Sequence, residues 1–255
     1  MNREQRLEHL LQAIPGLSDF RLSLIDDIIS VLELPCDFTS APDSDLVSQS
    51  VLSDFGDILR VHHSFSREPF SKDKFEYALE KILVASGVSA SLAPRGQRGF
   101  DISIDGQQFS LKTEAARAIK VNTLHVSKFM ELGGGDWGEN PSDLEGLRQQ
   151  FLNNLSTIER ILTLRALKKS NPFVYELVEI PKELLEKAAS GSLEMKLDST
   201  QYPKPGYCYV RDNESLLYSL YFDGGGERKL QIKSLRKDLC IVHATWKFAL
   251  PTSTP

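Results

Sequence analysis

The stretch GFDISIDGQQFSLKT, residues 99–113, carries the pattern that decides the fold. Apolar and polar residues alternate on both sides of the dipeptide Asp105-Gly106. Asp-Gly between two alternating runs is typical of a β-hairpin with a two-residue turn, and such a turn pairs Ile104 with Gln107. We therefore predict two antiparallel strands at this point of the chain.

The polar face of this hairpin combines an acid with a lysine. Alternation places four residues on it, with Asp101 across from Ser110 and diagonal to Lys112, and with Glu114 further along. An acid beside a lysine suits phosphodiester hydrolysis, because a carboxylate can hold Mg²⁺ while an ammonium stabilises developing charge or helps to deprotonate the attacking water. A solvent-facing Asp/Lys pair without a catalytic role is the alternative.

A helix is predicted just before the hairpin, in the run SKDKFEYALEKILVASG, from a cap at Ser71 to a stop at Gly87. Its apolar residues follow the helical period, and Glu76 lies on the rim of the apolar arc. From that position Glu76 can reach over the edge of the sheet to a metal ion. An ordinary contact with Glu80 or Lys81 on the same helix is the alternative.

The rest of the chain mixes helical and strand patterns. Residues 1–60 predict helices, the third of them over 43–60, and His62 and His63 follow in a loop. Residues 142–169 predict one long helix. Together these patterns predict an α/β fold with a mixed β-sheet flanked by helices and a helical N-terminal region. Short strands are predicted around 172–180, 206–211, 216–222, 228–233 and 239–248.

Composition excludes several kinds of protein. The chain has 255 residues, 41% of them hydrophobic and 25% charged, so it can bury a core without disulfides or a structural metal. Its three cysteines, Cys36, Cys208 and Cys240, form no CxxC pair, which indicates a reducing cytoplasm. No secretion signal opens the chain, and no run approaches the roughly 18 apolar residues of a membrane span. We expect neither secretion nor insertion into a membrane.

The net charge of −5 is unevenly distributed. Residues 1–60 have 4 Arg/Lys against 11 Asp/Glu, a balance of −7, so the remaining chain has 26 bases against 24 acids, a balance of +2. A locally basic groove for a nucleic acid is compatible with this distribution, although each basic residue alone is most often a solvated surface residue. The candidates are His63, Arg117, Lys120, His125, Ser127, Lys128, Arg228, Lys229 and Lys233.

The glycine-rich loop 223–229 is the candidate for base recognition. Glycines allow the backbone to approach DNA closely, and Arg228 can donate to the O6 and N7 atoms of guanine. An ordinary glycine-rich turn is the alternative. No GxxxxGK[ST] motif occurs, so we expect no nucleotide cofactor, and the GxSxG motif of a serine hydrolase is also absent.

An acid, a short hairpin and a lysine two residues beyond the position opposite that acid make up the PD-(D/E)xK nuclease pattern. The segment SLKTEAA, residues 110–116, after a helix with Phe75-Glu76 fits the restriction-enzyme branch of that superfamily. The chain resembles the SmaI-like type II restriction endonucleases over nearly all of the sequence after residue 60. The resemblance runs through HHSFS (62–66), KFEYAL (74–79), GFDISIDG (99–106), LKTEAA (111–116), HVSKFMELGGGDW (125–137), RILTLR (160–165), YELVEIPKELL (175–185), PKPGYCYV (203–210), SLYFDGGGERKLQIKSL (219–235) and LCIVHATWKF (239–248).

The resemblance implies a PD-(D/E)xK restriction-endonuclease-like core. Residues 61–255 would form one continuous catalytic and DNA-recognition domain behind the helical region 1–60. The implied activity is that of a type II site-specific deoxyribonuclease, a Mg²⁺-dependent hydrolase of a restriction system in the prokaryotic cytoplasm. It would act as a homodimer on a GC-rich palindrome of double-stranded DNA, CCCGGG by resemblance, and leave blunt ends.

The resemblance also assigns the metal ligands. Asp101 corresponds to the first metal-ligating acid. Ser110 occupies the middle position, where the family pattern has an acid, so Glu114 and Glu76 are the candidates for the second acidic ligand. The backbone carbonyl of Leu111 is a candidate for a further ligand.

Two other functions fit the same fold. A catalytically silent DNA-binding protein is suggested by the missing acid, but both Asp101 and Lys112, the lysine of the motif, are present and favour an enzyme. A repair or structure-specific nuclease is supported by analogy of fold alone.

Overall fold

The computed structural model describes residues 2–94, 96–97, 99–134 and 136–251. They form a mixed α/β structure with two β-sheets flanked by helices. The helices are α1 (Arg3–Ala13), α2 (Asp19–Glu33), α3 (Gln49–Phe65), α4 (Lys72–Ala85), α5 (Glu145–Ser156) and α6 (Lys182–Glu186). The strands are β1 (Cys36–Ser40), β2 (Ala90–Leu92), β3 (Ile102–Ile104), β4 (Gln107–Glu114), β5 (Thr123–Glu131), β6 (Arg160–Lys168), β7 (Phe173–Ile180), β8 (Ser192–Met195), β9 (Gly206–Asp212), β10 (Ser215–Phe222), β11 (Lys229–Arg236) and β12 (Ile241–Phe248).

The first sheet has seven strands in the order β1-β12-β7-β6-β4-β3-β2. Its pairings are antiparallel except that of β4 with β6, which is parallel. Helix α5 lies between β5 and β6 along the chain, as a parallel connection requires. The predicted mixed sheet flanked by helices is confirmed.

The second sheet is antiparallel and has the order β5-β11-β10-β9-β8. Helix α5 and the inner face of this sheet share one hydrophobic core with one side of the first sheet, and Phe151, Val178 and Phe222 belong to it. The opposite side of the first sheet packs against α3 and α4 in a second core, around Phe55 and Trp246. The first sheet is therefore covered on both sides.

The predicted helix over residues 142–169 is wrong in its second half. A 3₁₀ turn at Pro141–Leu144 leads into α5, which ends at Ser156, and the following residues form β6. Six successive residues of β6 are buried, from 161 to 166, because this strand lies in the middle of the sheet with both faces covered. The apolar residues Leu155, Ile158 and Leu162 continue the helical spacing of α5 into this strand, so the helical period alone does not mark where the helix ends, although residues 162–166 alternate between apolar and polar.

The N-terminal region also differs from the expectation. The third helix begins at Gln49 instead of residue 43 and continues to Phe65, so His62 and His63 lie in a helix and not in a loop. Strand β1 pairs with β12 at the edge of the first sheet. The predicted division at residue 60 therefore runs through α3.

Helices α1 and α2 are largely exposed. Helix α1 buries none of its residues, and α2 buries only Val31. No helix in the part of the chain that the structure describes has the length and apolar character needed to cross a membrane.

Candidate active site

The hairpin of β3 and β4 has the predicted register. Ile104 pairs with Gln107, and the turn residues Asp105 and Gly106 have positive φ angles of +48° and +84°. A two-residue turn with this twist needs positive φ at both central positions, which Asp and Gly tolerate best. The hairpin prediction is confirmed.

Asp101 lies at the open end of this hairpin. Its Oδ2 atom accepts hydrogen bonds from the Leu111 backbone N–H at 2.6 Å and from Ser110 Oγ at 3.2 Å. The same oxygen is 3.8 Å from Lys112 Nζ. Asp101, Ser110 and Lys112 therefore meet as their alternation in the sequence predicts.

A second lysine completes the cluster. Lys72 Nζ contacts Asp101 Oδ1 at 2.7 Å and Glu76 Oε1 at 2.9 Å. Glu76 thus pairs with a lysine four residues away on its own helix, and it is linked to the acid of the hairpin through that shared lysine. We call Lys72, Glu76, Asp101 and Lys112 the acid–lysine cluster.

The electrostatics of the cluster follow from burial and from its two ammonium groups. Lys112 is 9% exposed, and burial lowers its pKa to about 8, although the Asp101 carboxylate opposes the shift. Burial by itself raises the pKa of Asp101, but the ammonium groups of Lys112 and Lys72 outweigh it and hold that pKa below the ordinary value. Lys112 can therefore exchange a proton near neutral pH while Asp101 stays ionised.

The cluster opens into a cavity of about 460 Å³. Lys72, Asp101 and Lys112 line it together with Phe129 from β5 and Asn154 from α5. Lys112 Nζ lies 5.3 Å from the centroid of the Phe129 ring, a cation–π contact that fixes the side chain. A second cavity, of about 280 Å³, shares Lys72, Lys112 and Phe129 with the first and is also lined by Ser127 and Lys128.

Glu114 is not part of the acid–lysine cluster. Its side chain is buried and bonds to the guanidinium of Arg165 and to the His125 N–H at 3.2 Å. Burial raises the pKa of Glu114, an effect that the Arg165 guanidinium opposes. Of the two candidates for the second acid, Glu76 lies in the cluster and Glu114 does not, because the buried arginine draws Glu114 to another partner.

Arg165 is the centre of a separate buried network. It is fully buried, pairs with Glu114 and Glu176, and donates to the carbonyl oxygens of Lys120 and Thr123 at 2.9 and 2.7 Å. These bonds fix the loop between β4 and β5. No feature of the sequence other than an isolated arginine within an apolar strand could have indicated the network.

The basic residues predicted to line a groove divide into three groups. Arg117 and Lys120 are exposed on the loop that Arg165 holds. Ser127 and Lys128 lie on β5 beside the second cavity, where Lys128 Nζ contacts Glu131 at 2.6 Å. His63, in contrast, is buried.

The His63 side chain packs in the core and does not line a surface groove. It is 5% exposed, stacks on Phe173 with ring centroids 4.1 Å apart, and shares a hydrogen bond of 2.7 Å with the Tyr175 hydroxyl. The sequence placed it in an exposed loop because α3 is longer than its apolar pattern indicates. Since a buried side chain cannot contact DNA without a rearrangement, we withdraw His63 as a DNA-binding residue.

The glycine-rich loop before β11 packs against the other glycine run of the chain. Arg228 contacts Asp136 at 2.9 Å and lies over the Trp137 ring, 5.4 Å from its centroid. Lys229 pairs with Glu227. Lys233 and His125 line a further cavity of about 340 Å³ with Glu114 and Lys120, and Lys233 Nζ lies 3.6 Å from the centroid of the Tyr221 ring.

Comparisons with known proteins identify the family. The profile described as "SmaI: Type II site-specific deoxyribonuclease" matches residues 10–248. The type II restriction enzyme SmaI of Serratia marcescens is 50% identical over 210 residues, which are 81% of this chain and 83% of that protein. No solved structure matches the chain. The chain therefore belongs to the SmaI family of type II site-specific deoxyribonucleases.

Proposed function

We propose that the protein is a Mg²⁺-dependent endonuclease with a PD-(D/E)xK core that cuts both strands of CCCGGG to blunt ends. The observation that carries this proposal is the acid–lysine cluster, in which two carboxylates and a lysine with a lowered pKa meet at the end of the hairpin. The recognition site and the blunt ends rest on the family resemblance.

The donor atoms of the cluster fit a hard divalent cation. Asp101 and Glu76 supply carboxylate oxygens that already share one cationic partner, Lys72. Because Leu111 directs its N–H to Asp101, its carbonyl oxygen points to the same edge of β4, since the N–H and C=O of one strand residue face the same side. Among the described residues no group of three or more His, Cys, Asp or Glu side chains could hold a metal, so water and phosphate oxygens would complete the shell.

Each residue of the cluster has a distinct role in this reaction. Asp101 and Glu76 would hold a Mg²⁺ ion, which would supply neutralisation of the charge that develops on the phosphate. Lys112, with a pKa of about 8, takes a proton from the attacking water or stabilises the developing negative charge. Ser110 holds the Asp101 carboxylate in place through its hydroxyl. Seven further residues would contact the DNA, and those that follow the hairpin, from Arg117 to Lys128, would do so through phosphates. The seven are Arg117, Lys120, His125, Ser127, Lys128, Lys229 and Lys233.

We further infer a homodimer in the cytoplasm of a prokaryotic cell. One chain has one acid–lysine cluster, and cutting both strands of a palindrome is most simply done by two copies related by two-fold symmetry. The free cysteines Cys36, Cys208 and Cys240 fit a reducing compartment.

The exposed apolar residues of the first two helices support the dimer. Eight large apolar side chains in these helices and in the turn between them are 38% to 71% exposed. Together they expose on the order of 600 Å² of apolar side chain, and those from Leu7 to Ile14 recur at the spacing of one helix face. This apolar N-terminal surface consists of Leu7, Leu10, Leu11, Ile14, Phe20, Leu22, Ile29 and Leu32.

The test is digestion of a plasmid of known sequence with Mg²⁺, followed by sequencing of the fragment ends. Asp101→Asn and Lys112→Met should each lower the cleavage rate by at least roughly a thousandfold while the protein stays folded and binds its site. Lys81→Met, on the exposed side of α4, is the matched control and should cut normally. Cleavage by either cluster variant within about tenfold of wild type, some 1.4 kcal/mol of barrier, would refute the assignment of the site.

A further inference from the structure

Lys72 occupies the position where a cation would be expected to lie. Its ammonium contacts one oxygen of Asp101 and one of Glu76, at 2.7 and 2.9 Å, and so bridges the two carboxylates of the cluster. No other basic side chain among the described residues contacts both acids. The charges of the cluster balance, because its two carboxylates face two ammonium groups, those of Lys72 and Lys112.

The position of Lys72 is unfavourable for the helix that carries it. Ser71 caps α4, so Lys72 is the first residue of the helix, where the positive end of the helix dipole disfavours a cation. Its contacts with Asp101 and Glu76 outweigh that cost, which points to a role at the cluster. Its pKa reflects the same balance, because burial lowers it but the contacts with Asp101 and Glu76 raise it overall.

Lys72 also has room to leave. Its side chain is 39% exposed, and it lines both the 460 Å³ cavity and the 280 Å³ cavity beside Lys128. A divalent cation added to the balanced cluster would leave an excess of two positive charges beside two ammonium groups. Withdrawal of the Lys72 ammonium from the carboxylates relieves that excess.

We propose that Lys72 is a built-in counter-ion that competes with the divalent cation for Asp101 and Glu76. This inference rests on the proposed function, since it assumes that the cluster is the metal site. The metal binds only as the Lys72 ammonium moves away, and a DNA phosphate in either cavity attracts that ammonium. Metal and DNA therefore strengthen each other's binding, as linkage between two ligands requires.

The test measures metal affinity without DNA. MnCl₂ is titrated into the full chain, and free Mn²⁺ is followed by its electron paramagnetic resonance signal. Lys72→Met should bind Mn²⁺ roughly tenfold more tightly than wild type, because one competing charge-assisted contact is removed. Adding Asp101→Asn to Lys72→Met should abolish the gain, and Lys81→Met on the same helix should bind as wild type does.

A structural role of Lys72 predicts the opposite result, since loss of a structural contact weakens the site or leaves it unchanged. Lys72→Arg keeps the charge and should retain the weak affinity of the wild type. In EDTA, Lys72→Met should melt at a lower temperature than wild type and recover on addition of Mn²⁺, because two carboxylates are then left without a counter-ion. Equal or weaker Mn²⁺ binding by Lys72→Met would overturn the proposal.

The two proposals can fail separately. A wild-type chain that cuts DNA with Mg²⁺, together with a Lys72→Met variant of unchanged Mn²⁺ affinity, refutes the role of Lys72 alone. Tighter Mn²⁺ binding by Lys72→Met in a protein that does not cut DNA refutes the proposed reaction and supports the competition.

Discussion

Ser110 is the residue at which the chain departs from the nuclease pattern, and its neighbours explain how the departure is tolerated. Its hydroxyl donates to Asp101, so the side chain at the middle position supports the first acid and does not act as a second. The second carboxylate comes from Glu76 on α4, which shares Lys72 with Asp101. The cluster thus contains two carboxylates although the middle position of the hairpin is a serine.

This arrangement predicts different results for the two candidate glutamates. Glu76→Gln should raise the Mg²⁺ concentration for half-maximal cleavage roughly tenfold or more, because a hard cation loses an anionic oxygen. Glu114→Gln should leave the Mg²⁺ titration unchanged and lower the free energy of unfolding by roughly 2 kcal/mol, since Arg165 loses a charged partner in the core. Cleavage titrations and urea unfolding of both variants measure the two effects. A shifted Mg²⁺ curve for Glu114→Gln alone would reverse the assignment.

His63 predicts a contribution to stability that depends on pH. Burial lowers its pKa to about 4, although a hydrogen bond with the Ser66 carbonyl opposes the shift. In the unfolded chain the pKa is near 6.5, so the unfolded state binds more protons between pH 6.5 and 4. The contribution of His63 to the free energy of unfolding is fully present above pH 6.5 and falls by about 3 kcal/mol as the pH drops to 4.

The measurement is urea unfolding at several values of pH between 4 and 7. His63→Phe should show a shallower loss of stability with falling pH than wild type does. His9→Gln, on the exposed surface of α1, is the control and should keep the wild-type slope. A wild-type slope in His63→Phe would mean that other groups cause the acid sensitivity.

At the scale of elements, the sequence predicted those with a clear period or a specific turn. The hairpin was predicted in register because Asp105-Gly106 defines the turn and alternation defines the faces. Strand β6 was missed because Leu155, Ile158 and Leu162 continue the helical spacing of α5, and the alternation within the strand is short, over residues 162–166. The contacts of Lys72 with Asp101 and of Arg165 with Glu114 were missed because these partners lie 29 and 51 residues apart in the sequence, and no local pattern reports such a contact.

The loop between β10 and β11 carries a prediction about recognition of bases. Asp136 and Trp137 hold Arg228 in one orientation, as a donor to guanine requires. Arg228→Ala should cost about 1 to 3 kcal/mol in binding to CCCGGG and much less on a scrambled duplex. Lys120→Ala, which would remove a phosphate contact, should weaken binding to both duplexes alike and flatten the salt dependence.

Binding is measured on both duplexes at several salt concentrations with Ca²⁺ or EDTA in place of Mg²⁺. Asp136→Ala is a useful companion variant, because it leaves the arginine and removes its support. Equal losses of binding free energy on the two duplexes for Arg228→Ala would mean that the loop contacts only the DNA backbone and does not recognise bases.

At the scale of the whole molecule, the two sheets meet where the cluster lies, and the N-terminal helices extend from that body with little buried surface. We expect the apolar N-terminal surface to form the dimer. Leu11→Glu combined with Phe20→Glu should raise the dimer dissociation constant roughly a hundredfold, because two charges would enter a desolvated interface. Leu197→Glu changes a leucine outside that surface that is also more than half exposed, and it should leave the dimer intact.

Sedimentation equilibrium of the three proteins, alone and with DNA, measures this effect. Double-strand cleavage should decline with the dimer in the Leu11/Phe20 variant, while the cluster itself is unaltered. A wild-type protein that is monomeric at a concentration at which it cuts both strands would contradict the homodimer.

The hydrogen bond from the Leu111 amide to Asp101 couples the carboxylate of the cluster to the backbone of the first sheet. The ¹H and ¹⁵N chemical shifts of that amide respond to the charge on the carboxylate that accepts from it. A single resonance of a uniformly ¹⁵N-labelled sample would thus report protonation of Asp101 at low pH and entry of a divalent cation at neutral pH. The Leu111 amide resonance would therefore report on the cluster, and the binding of a divalent cation could be followed without DNA, turnover or an attached fluorophore.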